Sequence, residues 1–369
     1  LLENGNLFRV YIIKQREDYY TCLFSNHHAI LDGWSGPLLL NYIHSSYIKL
    51  LTKQNIEAAR DYSYAATQRY IQEHSKVSQE YWDKYLEQLT QREDLSGLLR
   101  EKVNLHNYRH IKESKTQEII IKESLYQELK NYAQDVGVTL NAVLQYAWHK
   151  TLSIYGNTNQ TIVGTTVAGR ALPIEGIEDS VGLYINTLPL IVNHNPSTIK
   201  ATIKAIQENI NELNSKSDIN LAKLQSGGER LFSSLFVYEN YPTPSDDSQG
   251  QLQLNFTGAV EKVDYPLGVI AYESNKQLTF ALNYAGELFT TNVIQELLNT
   301  TITILEQISK KDIIQNLEYL TKQQANQIRK WNETDKDYPH NKTIHELFEE
   351  QVEKSPDSIA IVYEDLRLS

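Results

Sequence analysis

His27-His28-Ala29-Ile30-Leu31-Asp32-Gly33-Trp34-Ser35 places two imidazoles, a carboxylate and a glycine within a few residues of one another, and its setting decides the fold. Upstream, Leu7 to Ile13 and Tyr19 to Ser25 are rich in β-formers and separated by the polar turn Lys14 to Asp18, the pattern of a hairpin. Downstream, Ser35-Gly36-Pro37 supplies a cap and an early-turn proline, and Leu38 to Leu51 carries apolar residues at helical spacing. Asn26 to Ser35 is therefore a strand-to-helix loop, a place where a rigid scaffold aims side chains into a cleft.

Working outward, helices are expected around Ser63 to His74 and Ser78 to Leu89, the second with Tyr81, Trp82, Tyr85, Leu86 and Leu89 on one face as core. The polar stretch Gln91 to Ser114 reads as a connection between two lobes, with the boundary at 105/106. Glu118 to Lys122 is a short strand, and Ser124-x-x-Gln127 reads as a capping box opening a helix that ends near Gly137. Thr139 to Tyr155 is a second helix, followed by strands at Thr161 to Val167 and Tyr184 to Val192 and a helix at Ser197 to Ser215. Strands at Ser234 to Tyr238, Leu252 to Phe256, Leu267 to Tyr272 and Leu278 to Asn283 precede a helix at Thr291 to Ile308. Helices and strands thus alternate without a regular repeat, which predicts an α/β fold on a mixed sheet. Residues 309–342 read as an ordered linker, and 343–369 as a helix and strand opening another domain.

The chain has 369 residues, 41% hydrophobic and 22% charged, as expected of a folded globular protein of one large two-lobed domain or two domains. Its net charge is −11, and no Lys/Arg block interleaved with aromatics occurs, which argues against nucleic acid and anionic membranes as partners. Cys22 is the single cysteine and no long apolar run is present, so a cytoplasmic location is expected. Methionine is absent and the chain opens on Leu1, which points to a fragment.

A neutral imidazole can take or hold a proton at cellular pH, which suits acyl transfer to a nucleophile. Asp32 can anchor the loop or a partner cation, and Gly33 permits a positive φ or close approach of backbone to substrate. The plainer alternative is a pair of hydrogen-bonded turn histidines. A metal centre is not expected, because adjacent histidines on an extended segment point to opposite sides and no further His/Cys/Asp cluster has ligand spacing. No G-x-S-x-G elbow, P-loop or dinucleotide fingerprint is present.

HHAILDGWS at 27–35 resembles the HHxxxDGWS signature of condensation domains of nonribosomal peptide synthetases, in the chloramphenicol-acetyltransferase-like superfamily. Further blocks follow in order: Asp61-Tyr62-x-Tyr64, Tyr81-Trp82, Ile162 to Arg170, Val181-Gly182-Leu183-Tyr184-Ile185-Asn186-Thr187-Leu188-Pro189, and Leu235 to Pro242. The resemblance covers Leu1 to about Ile308; from Tyr319 onward, including Trp331-Asn332-x-Thr334 and Ile344 to Gln351, the chain resembles the linker and opening of an adenylation domain.

The resemblance implies a two-lobed sandwich whose first lobe is incomplete, since the family's earlier motifs do not occur, and a fragment inactive alone and less stable than the intact domain. It implies His28 as the catalytic residue, joining a carrier-bound acyl or peptidyl thioester donor to the amine of a carrier-bound aminoacyl thioester. The phosphopantetheine arms belong to upstream donor and downstream acceptor carrier domains, and no cofactor is bound directly. Asp32 becomes structural, with Arg170 as its candidate partner or else a surface arginine at a turn. His27 is a packing or hydrogen-bonding residue, Trp34 core, and Asn186 a cleft residue or a satisfied polar core residue. An epimerisation domain, and a silent carrier-docking module, are the rival functions; Gly33-Trp34-Ser35 follows the condensation form, and the wording leans towards a D-configured donor.

Overall fold

Leu140–Tyr155 is buried on nearly every side, with Gln145, His149, Thr151 and Ser153 enclosed beside its apolar residues. In the computed structural model this helix, α4, has Val143, Leu144, Tyr146, Ala147, Trp148 and Leu152 fully out of solvent. It packs against α5 (Ile199–Ser215), α7 (Thr291–Ile308) and β4 (Gln160–Val167). The structure describes residues 5–56, 60–195, 198–225, 228–239, 255, 257–258, 264–274 and 277–369.

Two compact units divide at Tyr319/Leu320. The first is built on a six-stranded sheet in the order β3-β8-β7-β6-β4-β5. Its other strands are β3 (Ser114–Ile121), β5 (Asn186–Asn193), β6 (Ser234–Glu239), β7 (Leu267–Ser274) and β8 (Gln277–Ala285). The central β4-β6-β7 run is parallel and the flanking pairs are antiparallel, so the sheet is mixed. Along β4 the residues are buried almost throughout, as befits a strand covered on both faces. α3 (Glu123–Val136) stops at Gly137, whose φ of 76° is the left-handed conformation that glycine adopts at helix ends.

The N-terminal part of this unit is a hairpin, β1 (Phe8–Arg16) with β2 (Tyr19–Asn26), followed by α1 (Ser35–Leu51) and α2 (Ser63–Leu86). α2 is one continuous helix where two were expected: Ser75-Lys76-Val77 interrupts the apolar stripe but contains neither glycine nor proline to break the backbone. Its C-terminal half docks on the end of α5 and on β5, with Trp82 Nε1 donating to Lys216 O at 3.0 Å and Ile191 N donating to Tyr85 Oη at 3.0 Å. The expected capping box at Ser124 does not form; the helix starts at Glu123, with Lys122 at the cap and no side-chain capping bond. The strand expected at Leu252 to Phe256 lies outside the described residues, Asn255 excepted. α6 (Leu221–Leu224) completes the elements of this unit's α/β core.

The second unit holds α8 (Lys322–Trp331), α9 (Ile344–Lys354) and the hairpin β9 (Ile361–Tyr363) with β10 (Leu366–Leu368). Both helices start with a capping box, Thr321 with Gln324 and Thr343 with Glu346. α8 falls within the stretch read as a linker, a helix that polar composition concealed.

Candidate functional site: a histidine turn held by a buried ion pair

His27 and His28 leave β2 in a tight turn closed by Ile30 N on His27 O at 3.1 Å. His27 is tied into the turn itself, its Nδ1 accepting from Ala29 N at 3.0 Å. His28 is exposed at the turn's surface. Four residues further on, the chain turns inward and Asp32 is buried.

The Asp32 carboxylate meets donors from three parts of the chain. Oδ1 accepts from Ser35 N at 2.8 Å and from the Ser35 hydroxyl at 2.7 Å; Oδ2 accepts from Tyr184 N at 2.9 Å and Ile185 N at 3.1 Å. The Ser35 N–H is one of the orphan donors of the first turn of α1, so Asp32 caps the helix from within the loop. Arg170 Nη2 lies 3.1 Å from Oδ1 and 3.3 Å from Oδ2, with only 3% and 1% of the Arg170 and Asp32 side chains exposed. A buried charge needs a paired and hydrogen-bonded partner, and here each ion has both.

Arg170 is itself clamped. Its Nη1 donates to Ile177 O at 2.9 Å and Ser180 O at 3.1 Å, and its guanidinium carbon lies 4.1 Å from the centre of the Tyr184 ring. Burial lowers the guanidinium from its ordinary value, against the pull of Asp32. The preceding Gly169 has φ of 66°, and a Cβ there would lie 1.9 Å from Tyr184 O, so the approach of these two segments requires glycine.

Ser35, wholly buried, joins the loop to the 180–185 segment a second time: its Oγ accepts from Gly182 N at 3.0 Å and from Arg170 Nη2 at 3.2 Å. Its one hydroxyl proton is within reach of Asp32 Oδ1 or Gly182 O. Ser35 was legible only as a helix cap, and its long-range partners had no local signal. Trp34, expected in the core, is half-buried at the edge, its indole N–H donating to Glu178 O at 3.0 Å. A recess of about 480 Å³ lies on this side, lined by Arg170, Leu172, Ile174, Ile177, Glu178 and Asp179; no histidine lines it.

Asn186 spends its side chain on backbone. Nδ2 donates to Ser217 O at 3.0 Å and Ile219 O at 2.6 Å, and Oδ1 accepts from Thr187 N at 2.8 Å, which makes it a satisfied polar tie at the start of β5. Elsewhere, His149 Nδ1 and His194 Nε2 both bond Thr161 Oγ1, at 2.7 and 2.9 Å. Burial holds both imidazoles neutral, His149 well below its ordinary value and His194 down to about 3. They are core groups. No group of His, Cys, Asp and Glu among the described residues has the arrangement of a metal site.

Residues 1–328 match the family described as Condensation domain. The chain belongs to the condensation-domain family. Sequence relatives of this condensation domain include N-(5-amino-5-carboxypentanoyl)-L-cysteinyl-D-valine synthase of Amycolatopsis lactamdurans, 42% identical over the whole chain, and that of Penicillium rubens, 39% identical. Bacitracin synthase 1 of Bacillus licheniformis is 28% identical, also over the whole chain. The chain spans about a tenth of the length of the first two synthases and 7% of bacitracin synthase 1.

Among solved structures, the X-domain from teicoplanin biosynthesis matches with a TM-score of 0.70 at 16% identity, over 85% of this chain and 75% of that one. The epimerization domain from the third module of tyrocidine synthetase B matches at 0.62 and 18%, over 83% and 72%. The condensation domain shares with these neighbours the chloramphenicol-acetyltransferase-like fold. No helix among the described residues is long and apolar enough to cross a membrane.

Proposed function

We propose that this condensation domain forms an amide bond between a carrier-bound acyl or peptidyl thioester and the α-amine of a carrier-bound aminoacyl thioester, with His28 as the catalytic residue. The observation that carries the reading is the histidine turn: an exposed His28 on a loop whose far end, Asp32, is locked by a buried ion pair to Arg170. A flexible imidazole orients nothing, whereas one on a loop pinned at both ends holds a reacting amine near attack distance.

The chemistry balances as acyl transfer. The amine nitrogen attacks the thioester carbonyl, the C–N bond forms, and the zwitterionic tetrahedral intermediate loses an amine proton to the His28 imidazole. The C–S bond then breaks and that proton goes to the departing thiolate. An α-amine with a pKa of about 7.7–8.0 is already partly neutral at cellular pH, so His28 has only to orient it and carry its proton. In this reading His27 shapes the turn, Asp32 and Arg170 position it, and Gly33 leaves room for substrate to approach the backbone. The phosphopantetheine arms come from donor and acceptor carrier domains in the cytoplasm, and exposure of His28 leaves it within reach of substrates so delivered.

We read residues 1–105 as the remainder of a first lobe, a reading supported by the exposure of Tyr11, Ile12, Ile13, Tyr42, Ile43 and Tyr47. Residues 309–342 are read as the linker and 343–369 as the opening of an adenylation domain, with Ile344 and Phe348 of α9 presented to solvent.

The test is to load donor and acceptor carriers of the intact synthetase and follow the acceptor arm by mass spectrometry, with the donor in both configurations. Appearance of the dipeptidyl thioester with release of the donor arm supports the reading. Inversion of the donor α-carbon without transfer would make the domain an epimerase.

A further inference from the structure

We propose that Asp61 is a positioning residue for His28, acting through Ser180, Tyr184, Arg170 and Asp32. The proposal rests on the reading of His28 as catalytic. Asp61 precedes α2, far in sequence from the 170–185 segment. Its Oδ1 accepts from Ser63 N at 2.8 Å, and its Oδ2 takes the hydroxyl of the buried Ser180. The Ser180 hydroxyl also bonds Tyr184 Oη, and the Ser180 carbonyl accepts from Arg170 Nη1 at 3.1 Å.

Tyr184 is where the two carboxylates meet. Its backbone N–H donates to Asp32 Oδ2 at 2.9 Å, its ring lies beneath the Arg170 guanidinium, and its hydroxyl joins Ser180 on the Asp61 side. One buried cation is thereby held from two directions: by Asp32 on Nη2, and on Nη1 by carbonyls of a loop that Asp61 tethers. Ser63 adds a parallel tie, its hydroxyl donating to Glu175 O at 3.0 Å, and Tyr64 packs edge-on against Tyr184 with centroids 5.4 Å apart. Without Asp61, Ser180 loses its acceptor, Arg170 Nη1 loses a fixed partner, and the ion pair that pins the histidine turn gains freedom. Hydrogen bonds from Ser180, Ser63 and Val181 outweigh burial and hold the Asp61 carboxyl below its ordinary value, so it stays charged across neutral pH.

The experiment measures single-turnover amide formation in the intact synthetase for Asp61→Ala, Ser180→Ala, their double variant, Asp61→Glu and His28→Ala, over a range of carrier concentrations. Asp61 is exposed, so its variants are expected to fold; circular dichroism and urea midpoints check each. Expected are a saturating rate lowered about tenfold in each alanine variant with half-saturating carrier concentration unchanged, a double variant no slower than either single one, and recovery in Asp61→Glu. Wild-type rates in Asp61→Ala and Ser180→Ala beside an inactive His28→Ala would overturn the positioning role and leave His28 standing. A rise in half-saturating concentration alone would also overturn it. A fully active His28→Ala would remove both readings together.

Discussion

Arg170 Nη2 and Asp32 Oδ1 face each other at 3.1 Å with both side chains almost wholly out of solvent, and the histidine turn is built on that pair. Ion pairs at a surface contribute little, but removing one partner of a buried pair strands a charge in a low-dielectric site.

Asp32→Asn is therefore expected to cost about 3–5 kcal/mol of stability, and Arg170→Ala a similar amount. Urea denaturation measures both. Because the two changes remove one interaction, the double variant should lose clearly less than the sum.

Gly169→Ala tests the contact between the Arg170 turn and Tyr184. The left-handed backbone alone costs an alanine about 1–2 kcal/mol, and the new Cβ meets a carbonyl oxygen that cannot rotate away. The variant should be strongly destabilised or insoluble, whereas Gly36→Ala, in open space, should fold.

Glu93 gives a pH dependence of definite sign. The carboxyl is buried against β4, its Oε2 accepting from Ile162 N at 3.1 Å and its Oε1 without a partner. Burial, opposed by backbone hydrogen bonds and Arg92, raises it from 4.5 to about 7. The native state favours the protonated form, so stability falls as pH rises from about 4.5 through about 7, by about 3 kcal/mol in all. Glu93→Gln keeps an acceptor for Ile162 N and cannot ionise. Its urea midpoint should exceed that of wild type at pH 8, with the difference shrinking towards pH 5.

The elements with clear local signals were legible in the sequence: the β1-β2 hairpin from its β-rich runs and polar turn, the helix at Thr139 to Tyr155, and the end of α3 at Gly137. What escaped depended on distance along the chain. α2 hid its continuity behind a polar interruption at Ser75-Lys76, and α8 lay inside a stretch whose polarity concealed a helix capped by Thr321. At the site, Asp32 and Arg170 could be named because opposite charges in two family-like blocks suggest an ion pair, a cue that the neutral Ser35 and Tyr184 in such blocks do not give. Ser35, Ser180 and Tyr184 acquire their roles only when the 170–185 segment folds back on the loop, which no local pattern encodes. Glu93 is an ordinary acidic residue in a polar connection until β4 and Gly156 close over it.

The most direct measurement is single-turnover formation of the dipeptidyl thioester in the intact synthetase, wild type against His28→Ala, with both carriers loaded to the same extent. If His28 orients the amine and carries its proton, product formation in the variant falls by at least about a hundredfold with loading unchanged. Product formed at the wild-type rate by His28→Ala would contradict it.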